Sequence, residues 1–468
     1  MATNAFLSYD VLILVLGWFR DDYSSLCAVS LVNHTFREAS ATYLYRKVTY
    51  SPEFSPVLDL RKRDDLREGL FVSALLPHNA PLVRRFEVSG YISTRPAQIS
   101  RLSKYMKTAV ESWPNLNTLV FAPKKHHDAL FTEVLPLLPH LSCLRNLTVN
   151  VSCADEKHVP ALVQLRNLES LTIQSPTRAL LQSLPQWLEE LQSTLRNFRL
   201  TQSCGSVTPG VLRSFLPYLH NTPSFALGLS YSLTDDDVFK FWEDLPCLQT
   251  LDFRYYLQMR PSINPRLAHL RHLTVRYSSV STTDETNRLC RWVRRVIANV
   301  PLETLRLICE NETDGVAVSF HPLVEHLSAK HATRLRILDM PGCYVPKDAL
   351  SKLCRTCTAL EEVALSISTD TLAEFPSFAG PSARLHTATF NIRNHWCRCD
   401  ISQDRAETLV RSAPSLRRVT VDGHRYEGAW RPAPDGSVQF RVKHVQRVQR
   451  LFPWERGSVE EKEAIHIL

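Results

Sequence analysis

Apolar positions along this chain follow two different patterns. The first occupies its start, Phe6 to Ser40, FLSYDVLILVLGWFRDDYSSLCAVSLVNHTFREAS. Nine consecutive apolar or small residues, Val11 to Phe19, precede a polar break and a second helical pattern. The spacing predicts a helix over Tyr9 to Phe19, with Ser8 as its N-cap and Asp10 complementing the positive end of the helix. Val11, Leu12, Val15, Leu16 and Phe19 share one face, while Ile13, Leu14 and Trp18 make the other side apolar too. A helix apolar all round needs cover on every side. A second helix is predicted over Ser24 to Thr35, with Leu26, Val29, Val32 and Phe36 at helical spacing. A segment this short makes a poor core alone, so the cover must come from the rest of the chain or from another protein.

The second pattern is a recurring phrase: an apolar residue, two variable ones, an apolar, one variable, an apolar. It reads LNTLVF at Leu116, LRNLTV at Leu144, LESLTI at Leu168 and LRNFRL at Leu195. It continues as LQTLDF at Leu248, LRHLTV at Leu270, LETLRL at Leu302, LRILDM at Leu335, LEEVAL at Leu360, LHTATF at Leu385 and LRRVTV at Leu416. Weaker copies at Val83 and around Phe225–Leu229 bring the total to thirteen, spaced 22 to 33 residues apart. The end of the phrase alternates, which predicts a short strand with its apolar side inward. Helical patterns such as TPGVLRSFLPYLH and ETNRLCRWVRRVIANV lie between copies. One strand–helix unit cannot bury its own apolar face, so neighbours must stack.

This phrase resembles the leucine-rich repeat family, best at LRILDMPGC, where Cys343 stands at the family's Asn/Cys turn position. Most copies lack that residue and the period is irregular. The resemblance implies an α/β fold, a small N-terminal helical domain followed by an irregular horseshoe solenoid. The expected layout is a helical domain over 1–50, a connection over 51–80, repeats over 81–425, and a C-terminal hairpin and capping helix over 426–468. The hairpin is read around Asp435-Gly436 and the capping helix from the basic segment Val442 to Phe452.

The opening stretch resembles the F-box motif. That pattern begins with Leu-Pro and an acidic residue, runs through two Ile-Leu pairs, and ends with Leu, Val-Cys and Trp-Arg. Here Leu7, Asp10, Val11, Leu12, Val15, Leu16, Phe19, Leu26, Val32, Phe36 and Arg37 match it. Ser8 stands in place of the Pro, and Asn33 and Phe36 in place of the Cys and Trp. The resemblance implies a non-catalytic substrate receptor whose helices insert into a Skp-type adaptor, itself joined to a cullin scaffold that carries the ubiquitin-transfer machinery. The adaptor contacts it implies are Leu7, Val11, Leu12, Val15, Leu16, Phe19, Leu26, Val29, Val32 and Phe36. The alternative is a protein-binding scaffold independent of ubiquitin, its helices a cap with those residues buried against the repeat at Val83–Val88.

Composition narrows the chemistry. Apolar residues make up 44% and charged residues 22% of 468 residues, a globular balance. With 13 glycines and neither a Walker nor a dinucleotide fingerprint, nucleotide chemistry has no anchor, and no cofactor is expected. Val11–Phe19 is too short to span a bilayer and lacks the basic flank of a signal peptide. The expected place is the cytoplasm or nucleus, consistent with 12 cysteines scattered through apolar repeats as reduced thiols. Cys354-x-x-Cys357 and His395-x-Cys397-x-Cys399 have metal-like spacing but lie far apart, and His126-His127-Asp128 reads as a surface run, so no metal site is expected. No catalytic motif is present.

One strand-face cluster stands out. Arg254 and Arg276 fall at equivalent positions of adjacent strands, with His272 and Arg306 on the same face and Asp252 nearby. Like charges on neighbouring strands cost stability, which an acidic or phosphorylated protein substrate would relieve. The net charge of +8 is modest and no aromatic platform accompanies the basic residues, so neither nucleic acid nor a membrane is expected as partner.

Overall fold

The computed structural model describes residues 8–52, 71–92, 95–125, 127–256, 264–311, 318–393, 401–413, 415–432 and 437–445. It divides into two compact units, Met1–Ser206 with Gln449–Leu468, and Val207–Val448. No helix among the described residues is long and apolar enough to cross a membrane.

The first unit begins with three helices, α1 (Tyr9–Gly17), α2 (Tyr23–Ser30) and α3 (His34–Leu44). Six strands follow: β1 (Lys47–Tyr50), β2 (Arg85–Gly90), β3 (Thr118–Pro123), β4 (Asn146–Val149), β5 (Ser170–Gln174) and β6 (Asn197–Ser203). They pair in chain order, all parallel. The repeated phrase sets the register. Leu119 pairs with Leu147, Leu147 with Leu171 and Leu171 with Phe198, so each apolar position forms a column through the unit. Those columns are fully buried, because a lone strand–helix unit leaves its apolar face wet and a stacked neighbour removes it from water. Phe71, Phe86, Trp113, Phe121 and Phe131 form an aromatic core near the start of this array.

The second unit has ten strands: β7 (Ser224–Leu229), β8 (Thr250–Arg254), β9 (His272–Tyr277), β10 (Thr304–Cys309), β11 (Ile337–Tyr344), β12 (Glu362–Ile367), β13 (Thr387–Ile392), β14 (Arg418–Val421), β15 (His424–Pro432) and β16 (Val438–Val445). Pairing is parallel up to β14 and antiparallel from β14 to β16. The β11–β12 register shifts between Met340 and Tyr344. The helix Thr283–Ile297 shows how the linking segments work. Thr282 and Glu285 close a capping box at its start, and Leu289, Trp292, Val293 and Val296 are buried beneath it. Trp292 stacks on Phe253, with centroids 5.4 Å apart, and donates its indole N–H to buried Asp235 at 2.6 Å.

Three boundaries differ from the pattern-based expectation. Residues 47–50 are a strand paired with β2, so the sheet starts inside the segment read as helical. The predicted second helix is two helices. Asn33 takes an extended backbone and accepts the Phe36 N–H at 3.0 Å, so it starts α3 and breaks the 24–35 run. At the far end, Val442–Val445 belongs to β16 and not to a helix, while the rest of that basic segment lies outside the described residues. The hairpin is present as β15–β16, with its Asp435-Gly436 tip also outside them. A second tight turn, Asp422-Gly423 with φ of 45° and 85°, joins β14 to β15. Both residues adopt the left-handed conformation that a two-residue hairpin turn requires.

Candidate functional site

α1, α2 and α3 build a small core of their own. Ser8 caps α1 through the Val11 N–H, and Asp22 caps α2 through the Ser25 N–H at 3.1 Å. Leu12, Leu16, Leu26 and Ala39 are buried together, flanked by Ile13, Val29, Phe36, Tyr43 and Leu44. The Tyr43 hydroxyl donates to the Ile13 carbonyl at 2.7 Å and ties α3 to α1. A Cβ on Gly17 would stand 3.1 Å from that same hydroxyl, so the close approach favours glycine there.

This core turns one stripe of α1 inward and leaves the opposite one in solvent. Trp18 is 89% exposed and Leu14 71%, with Val11, Val15 and Phe19 each exposed beside them. In the α2–α3 turn Leu31 is 81% exposed and Val32 63%. Val11, Leu14, Val15 and Trp18 follow the i, i+3, i+4, i+7 spacing of a single helical face. The implied contact residues therefore divide. Val11, Val15, Phe19 and Val32 are exposed, Val29 and Phe36 are half-buried, and Leu12, Leu16 and Leu26 point into the helical core. Leu7 lies outside the described residues. The three most exposed apolar side chains, Trp18, Leu31 and Leu14, are absent from that set. The periodicity marks two apolar faces of α1 and does not say which one α3 covers.

The arginine cluster of the second unit has a different character. Arg254 and Arg276 do pair across β8 and β9. Each cation nevertheless has its own carboxylate: Arg254 meets Glu310 at 2.7 Å, Arg276 meets Asp252 at 3.0 Å and Arg306 meets Asp339 at 3.6 Å. Arg254 also donates to the Ser278 hydroxyl at 2.9 Å and is buried. His272 shares a hydrogen bond with Thr304 at 3.1 Å, and burial followed by the neighbouring arginines holds its pKa below the usual histidine range. Burial pushes the Asp339 carboxyl up against the opposing pull of Arg306. The premise of unmatched like charges is thus corrected, since residues distant in sequence already supply the acids.

The remaining candidates are structural by position. Cys354 and Cys357 are buried, and desolvation pushes the Cys354 thiol up to about 12. His127 is buried and its backbone N–H donates to the Ser152 hydroxyl, so this residue of the His126–Asp128 run is not at the surface, while His126 lies outside the described residues. His395, Cys397 and Cys399 lie outside the described residues.

No family model matches this chain, and no curated protein matches it significantly. Solved structures show distant similarity. A chain of the TLR13–ssRNA13 complex is similar over 73% of this chain and 43% of its own length, at 15% identity and a TM-score of 0.35. This chain thus spans less than half of that one. A chain of the Rad7 and Elc1 complex from yeast is similar over 89% of this chain and 94% of its own, at 14% identity and a TM-score of 0.41.

Proposed function

We propose that this chain is a non-catalytic substrate-recognition subunit of a Skp–cullin–F-box ubiquitin ligase, with α1–α3 as the adaptor-docking module. One observation carries the reading: α1 exposes Val11, Leu14, Val15 and Trp18 while α1–α3 hold a separate core beneath them. Contiguous exposed apolar surface on the order of several hundred Å² marks an interaction site in a soluble protein. A helical cap would bury this stripe against the first repeat, so its exposure disfavours the alternative of a scaffold independent of ubiquitin. The sheet's non-core side chains remain for a protein substrate, recognised by shape and hydrogen bonding more than by unmatched charge.

The test is co-purification with a Skp-type adaptor from the same source. Leu14→Asp/Trp18→Asp changes exposed residues and leaves the helical core intact, whereas Leu12 and Leu16 are core residues whose loss would unfold the module. Capture by the native chain and loss in the variant, with unchanged circular dichroism, is the expected result. A folded native chain that captures no adaptor would overturn the proposal and leave a binding scaffold.

A further inference from the structure

The helix Thr283–Ile297 carries apolar residues on its inward face and a run of arginines on the outward one. Arg291, Arg294 and Arg295 stand at i, i+3 and i+4, so their side chains share one stripe. Together with Ala298, Asn264 and His326 they line a cavity of about 390 Å³. No carboxylate lines it among the described residues. Elsewhere in this unit Arg254, Arg276, Arg306, Arg271 and Arg336 each meet an acid, while Arg213 and Arg384 make no ion pair among the described residues but do not line this cavity. Among the described residues, Arg291 and Arg294 make no ion pair.

A histidine of the helix His321–Lys330, His326, lines the cavity beside the arginines. His326 Nε2 is buried without a hydrogen-bond partner among the described residues. Desolvation, then the charges of Arg294 and Lys330, hold the His326 pKa below the ordinary range. His331, whose ring centroid lies 5.8 Å away, is pushed down to about 4 by burial and then by His326. Basic residues in a last helical turn answer the helix dipole. That accounts for an exposed arginine or two, but not for three guanidinium-bearing side chains lining one cavity. Like charges at this spacing also repel one another.

We infer that this cavity is an anion site that takes a phosphate group, gripped by the guanidinium groups of Arg291 and Arg294, with Arg295 and His326 in its wall. Planar guanidinium forks match phosphate oxygens in geometry as well as charge. The cavity falls within the range of about 300–1,000 Å³ typical of small-ligand sites. Ala298 keeps the wall one turn beyond Arg294 and Arg295 free of a long side chain. A phosphate carried by a small molecule and one on a phosphorylated side chain of a partner protein share this chemistry, and the titration below distinguishes them. The inference does not depend on adaptor docking, which concerns the N-terminal helices.

Calorimetric titration of the full chain tests it, with inorganic phosphate, a phosphoserine peptide and the same peptide unphosphorylated as probes. The native chain should bind phosphate at one site, and Arg291→Gln/Arg294→Gln should weaken binding by about tenfold or more. Arg213→Gln/Arg384→Gln removes the same charge away from the cavity and should leave binding within about twofold. Ala298→Glu, which sets a carboxylate among the guanidiniums, should abolish binding in a chain that still folds. A phosphopeptide that binds about tenfold tighter than inorganic phosphate identifies a protein-borne phosphate, and equal affinities identify a small-molecule source. A folded native chain that binds neither phosphate probe overturns the inference, as does equal weakening in the remote double variant.

Discussion

Trp18→Ala isolates the docking surface from the fold beneath it. Trp18 follows the last residue of α1 and is 89% exposed, so the free chain has little packing to lose there. An exposed substitution of this kind changes folding stability by no more than about 0.5 kcal/mol. Binding is another matter. A tryptophan side chain buries about 200 Å² when covered. At about 25 cal/mol per Å², covering the exposed part is worth at most about 4 kcal/mol. Interface truncations of this class commonly cost about 2 kcal/mol or more, so the adaptor Kd should rise roughly thirtyfold. Leu26→Ala is the contrasting perturbation, because Leu26 is fully buried in a core of four residues. Its cost of about 2–5 kcal/mol should melt the helical module and abolish binding by that route. Titration of both variants with a Skp-type adaptor, alongside thermal melts, separates the cases. A folded Trp18→Ala chain that binds with native affinity would refute the assignment of this stripe to the interface.

Further expectations concern the body of the chain. Burial raises the Glu87 carboxyl, but Lys47 at 3.6 Å and Arg85 at 3.0 Å, with hydrogen bonds from Arg85 and Ser89, outweigh this and hold it below 4.5. Its stabilisation is therefore complete above the unfolded value and disappears as pH falls through the folded one. In urea melts, Glu87→Gln should be less stable at neutral pH and show a flatter acid limb; parallel pH profiles would contradict the pairing. Gly428→Ala should destabilise the β15–β16 hairpin, since a Cβ there would fall 2.2 Å from the Phe440 ring and 2.8 Å from Val410. A native-like melting temperature for that variant would show that the ring yields freely. Trp292→Phe removes the indole N–H that Asp235 accepts, a buried hydrogen bond to a charged group whose loss costs about 1–3 kcal/mol measurable by denaturant unfolding. Thiol labelling of the native chain should mark exposed Cys247 ahead of the other described cysteines and leave Cys343 unlabelled until unfolding, because Cys343 is buried and desolvation raises its thiol.

Much of the repeat was legible because its information is local and recurrent. Every copy of the phrase became a strand, with its apolar positions buried. Over four successive phrases the second residue also alternates in charge. Arg271, Glu303, Arg336 and Glu361 form a ladder, with contacts of 3.0 Å between Arg271 and Glu303 and 2.9 Å between Arg336 and Glu361. The backbone of this position also links neighbouring repeats, as from Glu303 N–H to the Arg271 carbonyl at 2.8 Å. The Asp422-Gly423 turn was likewise readable, a two-residue Asp-Gly between alternating segments.

By itself, the order of residues determined the strand–helix repeat, the stacking of neighbours it demands and an apolar helical start. Each follows from periodicity, which acts over a few neighbouring residues. Tertiary structure alone decided which stripe of α1 is covered. It did so through Tyr43 and Ala39 on α3, which close on Leu12, Leu16 and the Ile13 carbonyl. It also brought Glu310 to Arg254, and His326 to the arginines of another helix. Those partners are separated by long stretches of chain, and a period read along one segment carries no term for the charge or shape of a segment that folds against it.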